Sequence, residues 1–124
     1  MAVVAFVTLI VGLAVFQAAL VLGAPLGKYA WGGEHPGVLP LKLRIGSGVS
    51  LILYTVFALI VLDRSGSITL FPEGVSRVGI WVVVGILALS VLANLASRSK
   101  PERLVMAPLA AMLAVLAGII ALQA

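Results

Sequence analysis

Four long runs of this sequence contain no Asp, Glu, Lys, Arg or His, and they limit the possible folds more than any other feature. The runs cover residues 2–27, 45–62, 78–97 and 104–124. A hydrocarbon core of about 30 Å takes roughly 20 helical residues to cross, and a backbone in lipid must satisfy its own amides. The sequence therefore predicts transmembrane helices over about 2–23, 43–62, 77–97 and 100–123.

The composition agrees with a membrane protein, since 63% of the 124 residues are hydrophobic and only 10% are charged. A soluble domain of ordinary composition is about a quarter charged. None of the runs alternates polar with apolar residues as a barrel strand does. The fold class predicted is therefore all-α, a four-helix transmembrane bundle that forms one integral membrane domain over 1–124. The first run has no Lys or Arg before it, which favours a retained helix over a signal peptide.

The basic residues predict which ends of the helices face the cytoplasm. Connections rich in Lys and Arg stay on the cytoplasmic side. Six basic residues lie in or beside connections one and three, namely Lys28, Lys42, Arg44, Arg98, Lys100 and Arg103. Only Arg64 and Arg77 flank the second connection. We expect a multi-pass protein of the cell membrane with loops 24–42 and 98–103 in the cytoplasm and both termini outside. Topology accounts for the net charge of +4, so no nucleic-acid partner is expected.

Local signals agree with these helix boundaries. Ser99 and Glu102 have the spacing of a capping box, which predicts the start of the fourth helix near Ser99. Pro108 is expected to interrupt the backbone ladder of that helix. The second connection contains two turn-forming stretches, with a short extended segment expected at 68–71.

The first connection is the most distinctive segment, with three prolines and five glycines between residues 23 and 40. One interpretation is a compact connector at the cytoplasmic interface, anchored by Tyr29 and Trp31. The other is a small polar loop site, formed by Lys28, Glu34, His35, Lys42 and Arg44. A single histidine makes a poor metal site, and the sequence has no cysteine. We therefore expect no metal and no cofactor.

This connection reads Gly-Ala-Pro-Leu-Gly, then Ala-Trp-Gly-Gly, then Leu-Pro. Together with the stretches 41–47 and 94–103, it resembles an uncharacterised family of small bacterial four-span integral membrane proteins. The resemblance covers nearly the whole chain. It implies a four-span bundle and transfers no catalytic residue.

Polar side chains inside the runs form one-sided stripes on the second and third helices. With a glutamine of the first helix they form a candidate intramembrane polar stripe, composed of Gln17, Ser47, Ser50, Tyr54, Ser90 and Asn94. Such residues commonly bond helices together. The alternative is a narrow polar path, although most of these residues would lie in the cytoplasmic half, so a continuous pore is not expected. The runs contain no ionisable Asp, Glu, Lys, Arg or His, which argues against a proton-coupled exporter.

Three functions remain open on this basis. The leading hypothesis is a non-enzymatic oligomeric or accessory and regulatory membrane subunit, with the lipid bilayer and a second copy or another membrane protein as partners. The second is a small dimeric channel or passive transporter for a small solute. The third, an enzyme that acts on lipid headgroups through Glu34 and His35, lacks a recognisable nucleophile, base and orienting group.

Overall fold

Four long helices form the protein, and there is no strand. The computed structural model describes residues 1–124, with α1 at Ala2–Val21, α2 at Leu41–Arg64, α3 at Glu73–Leu95 and α4 at Ala107–Gln123. A π-helical turn, Glu102–Met106, leads directly into α4. All four helices, α4 taken together with this turn, are long and apolar enough to cross a membrane. The prediction of an all-α, four-helix transmembrane bundle is confirmed.

The helices run up and down in sequence order around the bundle. Helix α1 packs against α2 and α4, and α3 packs against α2 and α4, with the α3–α4 contact the most extensive. The first and third connections meet at one end, where the Ser99 hydroxyl donates a hydrogen bond to the Lys28 carbonyl. At the other end Met1 and Ala124 lie near Arg64. We call these the loop end and the terminal end.

The main core fills the terminal half of the bundle. Eleven buried side chains form it, namely Phe6, Ile10, Phe57, Val61, Ile80, Val83, Leu87, Leu113, Ala117, Ile120 and Ala121. A second, smaller cluster at the loop end joins Leu20 to Ala30 and Leu39 of the first connection. The first connection is therefore packed on the bundle as a folded cap. We call residues 24–40 the cap.

Two helices begin earlier in the chain than the sequence predicts, and each begins directly after a proline. Pro40 precedes α2 and Pro72 precedes α3, so the helices begin at Leu41 and Glu73 instead of at about 43 and 77. Proline disfavours helical geometry in the residue before it and tolerates a helix after it. Helix α1 ends at Val21, two residues earlier than expected, since Gly23 adopts a φ of 96°.

The extended segment predicted at 68–71 forms no β-strand pairing. The amides of Leu70 and Phe71 instead donate to the Asp63 carboxylate, at 2.7 and 2.8 Å. The Asp63 carboxylate thus accepts the backbone hydrogen bonds that a neighbouring strand would otherwise accept.

The capping box before α4 forms only in part. The Glu102 amide approaches the Ser99 hydroxyl at 3.5 Å, but the Ser99 amide bonds to the Ser97 hydroxyl at 3.0 Å and not to the Glu102 carboxylate. The carboxylate is engaged elsewhere. In the π-helical turn, the Ala107 amide donates to the Glu102 carbonyl, and Pro108 follows immediately.

Candidate functional site

A cavity of about 300 Å³ lies in the loop half of the bundle, between all four helices and the cap. Its inner boundary includes Phe57, Leu87 and Leu113, which also belong to the main core. Because that core fills the terminal half, the cavity is blind and does not continue as a pore. Its walls are mostly apolar, and its polar groups come from a small set of side chains.

Five of the six residues of the predicted polar stripe line this cavity, namely Gln17, Ser50, Tyr54, Ser90 and Asn94. The sixth, Ser47, is fully buried beside it and accepts a hydrogen bond from the Trp31 indole at 3.2 Å. The structure therefore brings together side chains from three helices that the sequence placed on separate faces.

The serines of the stripe do not bond the helices to one another. The hydroxyls of Ser50 and Ser90 donate to carbonyls of their own helices, at Gly46 and Ile86. The Gln17 amide of α1 lies beside the Tyr54 hydroxyl of α2, and its Oε1 is buried without a hydrogen-bond partner. The two serine hydroxyls keep lone pairs that can accept a hydrogen bond from a bound molecule.

Trp31 covers the cavity from the cap in a constrained conformation. Its φ of 53° lies in the left-handed region, which a bulky residue rarely adopts. The ring lies against Gly46 so closely that a Cβ there would be 2.7 Å from Trp31 Cζ2. The hydrogen bond to Ser47 and this contact hold the indole in place. Backbone strain of this kind costs on the order of 1–3 kcal/mol and clusters at functional sites.

Glu102 supplies the only carboxylate of the cavity, and its side chain is 6% exposed. Its Oε2 accepts hydrogen bonds from the Gly32 amide at 2.9 Å and from the Ser97 hydroxyl at 3.1 Å. No basic side chain pairs with it, because the single ion pair of the structure joins Arg77 to Glu73. Glu102 thus fastens the cap to the start of α4 and places an uncompensated carboxylate on the cavity wall.

Aromatic side chains form much of the remaining wall, namely Phe16, Tyr29, Trp31, Tyr54 and Phe57. The Phe16 and Tyr29 rings meet edge to face with centroids 6.4 Å apart. Lys28 Nζ lies 5.3 Å from the Tyr29 centroid. One aromatic ring of the wall is therefore already in contact with a cation of the protein itself.

The predicted polar loop site is not assembled as one cluster. Lys28 and Glu34 border a shallow surface depression of about 800 Å³ together with Arg98. His35 and Lys42 are exposed and lie outside it. Arg44 instead closes the end of α1, its guanidinium donating to the Val21 carbonyl at 3.0 and 2.8 Å. No hydrogen bond or ion pair joins any two of these five predicted residues.

Sequence reasoning missed Glu102 and Trp31 as cavity residues. The sequence predicts a helix cap at Glu102 and an interfacial anchor at Trp31, because each prediction uses only neighbouring residues. The hydrogen bond that brings Glu102 to the cap comes from Gly32, next to Trp31, and spans 70 residues of the chain. The one sequence signal for it was a carboxylate six residues before a helix proline.

No group of three or more His, Asp or Glu side chains is placed to hold a metal ion. No family model, curated protein or solved structure matches this chain.

Proposed function

We propose that this protein is a non-enzymatic membrane module that binds a small solute in the cavity beneath its cap. The observation that carries the proposal is the convergence of five stripe residues and Glu102 on one blind cavity. Ligand sites are usually concave, mostly apolar, and equipped with a few polar groups. A volume of about 300 Å³ suits a small molecule.

The cap supports a regulatory role for this binding. It contributes Tyr29, Ala30 and Trp31 to the cavity wall, and its outer side borders the surface depression near Arg98. A solute that contacts Trp31 therefore touches the same short segment that a partner at the loop end would meet. Solute binding changes the conformation of the cap only if the solute binds one conformation of the cap more tightly than another.

The test is thermal unfolding of the purified protein in detergent with three solutes of matched size, namely 2-phenylethylammonium, 2-phenylethanol and phenylacetate. A ligand at about a hundred times its Kd stabilises the folded state by about 2.7 kcal/mol. We expect at least one solute to raise the Tm. Ser50→Leu fills the cavity and should abolish the shift. Thr55→Leu, on the exposed side of the same helix, should retain it.

Two results would contradict the proposal. One is the absence of a Tm shift with all three solutes. The other is an equal shift in Ser50→Leu and wild type, since binding would then occur outside the cavity.

A passive carrier for a small solute is the second candidate, and the polar lining of the cavity favours it. The core of the terminal half would have to open during transport. The cavity lies within one bundle, so solute binding itself needs no second copy. Proteoliposomes should take up labelled 2-phenylethylammonium faster than protein-free vesicles, and Asn94→Leu should reduce that uptake. Equal uptake in both kinds of vesicle would exclude the carrier.

We also propose that the protein is an oligomeric or accessory membrane subunit, and that it belongs to a family of bacterial four-span membrane proteins. We further propose that loops 24–42 and 98–103 are cytoplasmic and both termini outside. The charge distribution supports this sidedness. Copurification from native membranes in mild detergent tests the subunit role, and a chain recovered alone and monomeric would contradict it.

A further inference from the structure

The cavity wall contains a carboxylate oxygen without a hydrogen-bond partner, and this atom indicates the chemistry of the ligand. Glu102 uses Oε2 for both of its hydrogen bonds, which leaves Oε1 without one. A ligand that satisfies Glu102 Oε1 must bring a hydrogen-bond donor.

The negative charge of Glu102 further limits which ligands the cavity can bind. Glu102 is a buried residue, 6% exposed, and burial of a carboxylate is costly unless a positive charge or hydrogen bonds compensate it. The nearest basic side chain in sequence, Arg103, donates instead to the Ser97 carbonyl at 2.7 Å. The protein thus supplies neutral donors to Glu102 but no cation.

The rest of the wall suits the body of an organic cation. Trp31 and Tyr54 line the same cavity as Glu102, and aromatic faces attract cations in addition to excluding water. A bare metal ion would find too few oxygen ligands here, because Glu102 is the only carboxylate of the lining. An anion would face the Glu102 carboxylate directly.

We infer that the cavity binds a small organic cation, an amine with an apolar or aromatic body, and that Glu102 is its counter-ion. This inference rests on the proposed solute binding and names the class of solute. The ammonium group donates to Glu102 Oε1, while the apolar body lies among the aromatic side chains. Binding in this form compensates the buried carboxylate.

The alternative is that Glu102 has only the structural role of fastening the cap. Glu102→Gln separates the two roles, since a glutamine oxygen still accepts from Gly32 and Ser97 but carries no charge. Glu34→Gln is the matched control, because Glu34 is exposed and lies outside the cavity. Both variants change the net charge of the protein equally.

The measurement is the fluorescence of Trp31, which becomes the only tryptophan in the Trp81→Phe background. Trp81 is 48% exposed on α3 and does not line the cavity. Titration with 2-phenylethylammonium at pH 7 should give a saturable change. We expect 2-phenylethanol and phenylacetate to bind about tenfold more weakly or not at all, as expected when a charge-assisted contact is lost.

Glu102→Gln should weaken binding of 2-phenylethylammonium by about tenfold or more, with binding of 2-phenylethanol unchanged. Glu34→Gln should bind as wild type does. If 2-phenylethanol or phenylacetate binds as tightly as the amine, or if Glu102→Gln retains full amine affinity, the cation inference fails and solute binding stands. If none of the three solutes binds, the cation inference and the proposed solute binding both fail.

Thermal unfolding of Glu102→Gln without ligand shows whether this variant is folded. Glu102→Asp keeps the negative charge, so it should keep the preference for the amine.

Discussion

Individual contacts at the loop end depend on residues whose importance the sequence does not reveal. Gly46 is a helix residue, and glycine is a poor helix former. A residue without a side chain fits at this position because the Trp31 ring occupies the space that a Cβ would take. The next residue, Ser47, then accepts the indole hydrogen bond. Gly46 and Ser47, two adjacent small residues, thus hold the Trp31 indole over the cavity.

Gly46→Ala should therefore displace Trp31. Overpacking of this kind typically costs about 1–3 kcal/mol, and we expect a loss of that size in thermal unfolding. Emission of Trp31 in the Trp81→Phe background should shift to the red as the indole leaves its site. Gly12→Ala is the control, since no atom lies within 4 Å of a Cβ at that position. It should be neutral or stabilising, and an equal loss in both variants would show that the Trp31 contact has no special role.

The helices could be predicted from the sequence far better than the site could. Apolar runs fix the existence of a membrane helix, because lipid leaves a backbone no other partner. The errors at Leu41 and Glu73 arose where helices continue past the apolar runs to a preceding proline. The polar stripe was also visible, since it repeats along single helices. The contacts of Glu102 and Trp31 were not visible, because they join segments distant in the chain.

The π-helical turn before α4 determines where Glu102 points. A π turn adds one residue to a helical turn, and one residue corresponds to a rotation of roughly 100° in an α-helix. Pro108 has no amide to donate to the Leu104 carbonyl, which disfavours a regular α-helical ladder at this position. The wider turn Glu102–Met106 occupies the stretch directly before it. Such π turns are frequent at functional sites.

Pro108→Ala should let the turn become a regular α-helix and rotate Glu102 away from the cap. The Gly32 amide would then lose its hydrogen bond to the carboxylate, which is 2.9 Å long. We expect hydrogen exchange at Gly32 to be faster by about tenfold to a hundredfold, since hydrogen bonds to charged groups are worth about 1.5–3 kcal/mol. Pro101→Ala, one residue before the turn, should leave the exchange unchanged. Unaltered exchange in Pro108→Ala would mean that the cap contacts alone maintain the π turn.

At the scale of the whole molecule, the two ends of the bundle differ in what they contain. The terminal half holds the main apolar core, and the loop half holds the cavity, the cap and Glu102. Six of the eight Lys and Arg residues also lie at the loop end, in the connections or in the adjoining helical turns. The sidedness of the protein therefore decides which compartment the cap faces.

Labelling of single cysteines should show that the loop end faces the cytoplasm. The chain has no cysteine of its own, so His35→Cys in the cap and Ser67→Cys in the second connection each give one exposed thiol. A membrane-impermeant maleimide should label Ser67→Cys in intact cells and His35→Cys only after permeabilisation, because basic connections resist translocation. Labelling in the opposite order would place the loop end and the cap outside the cell.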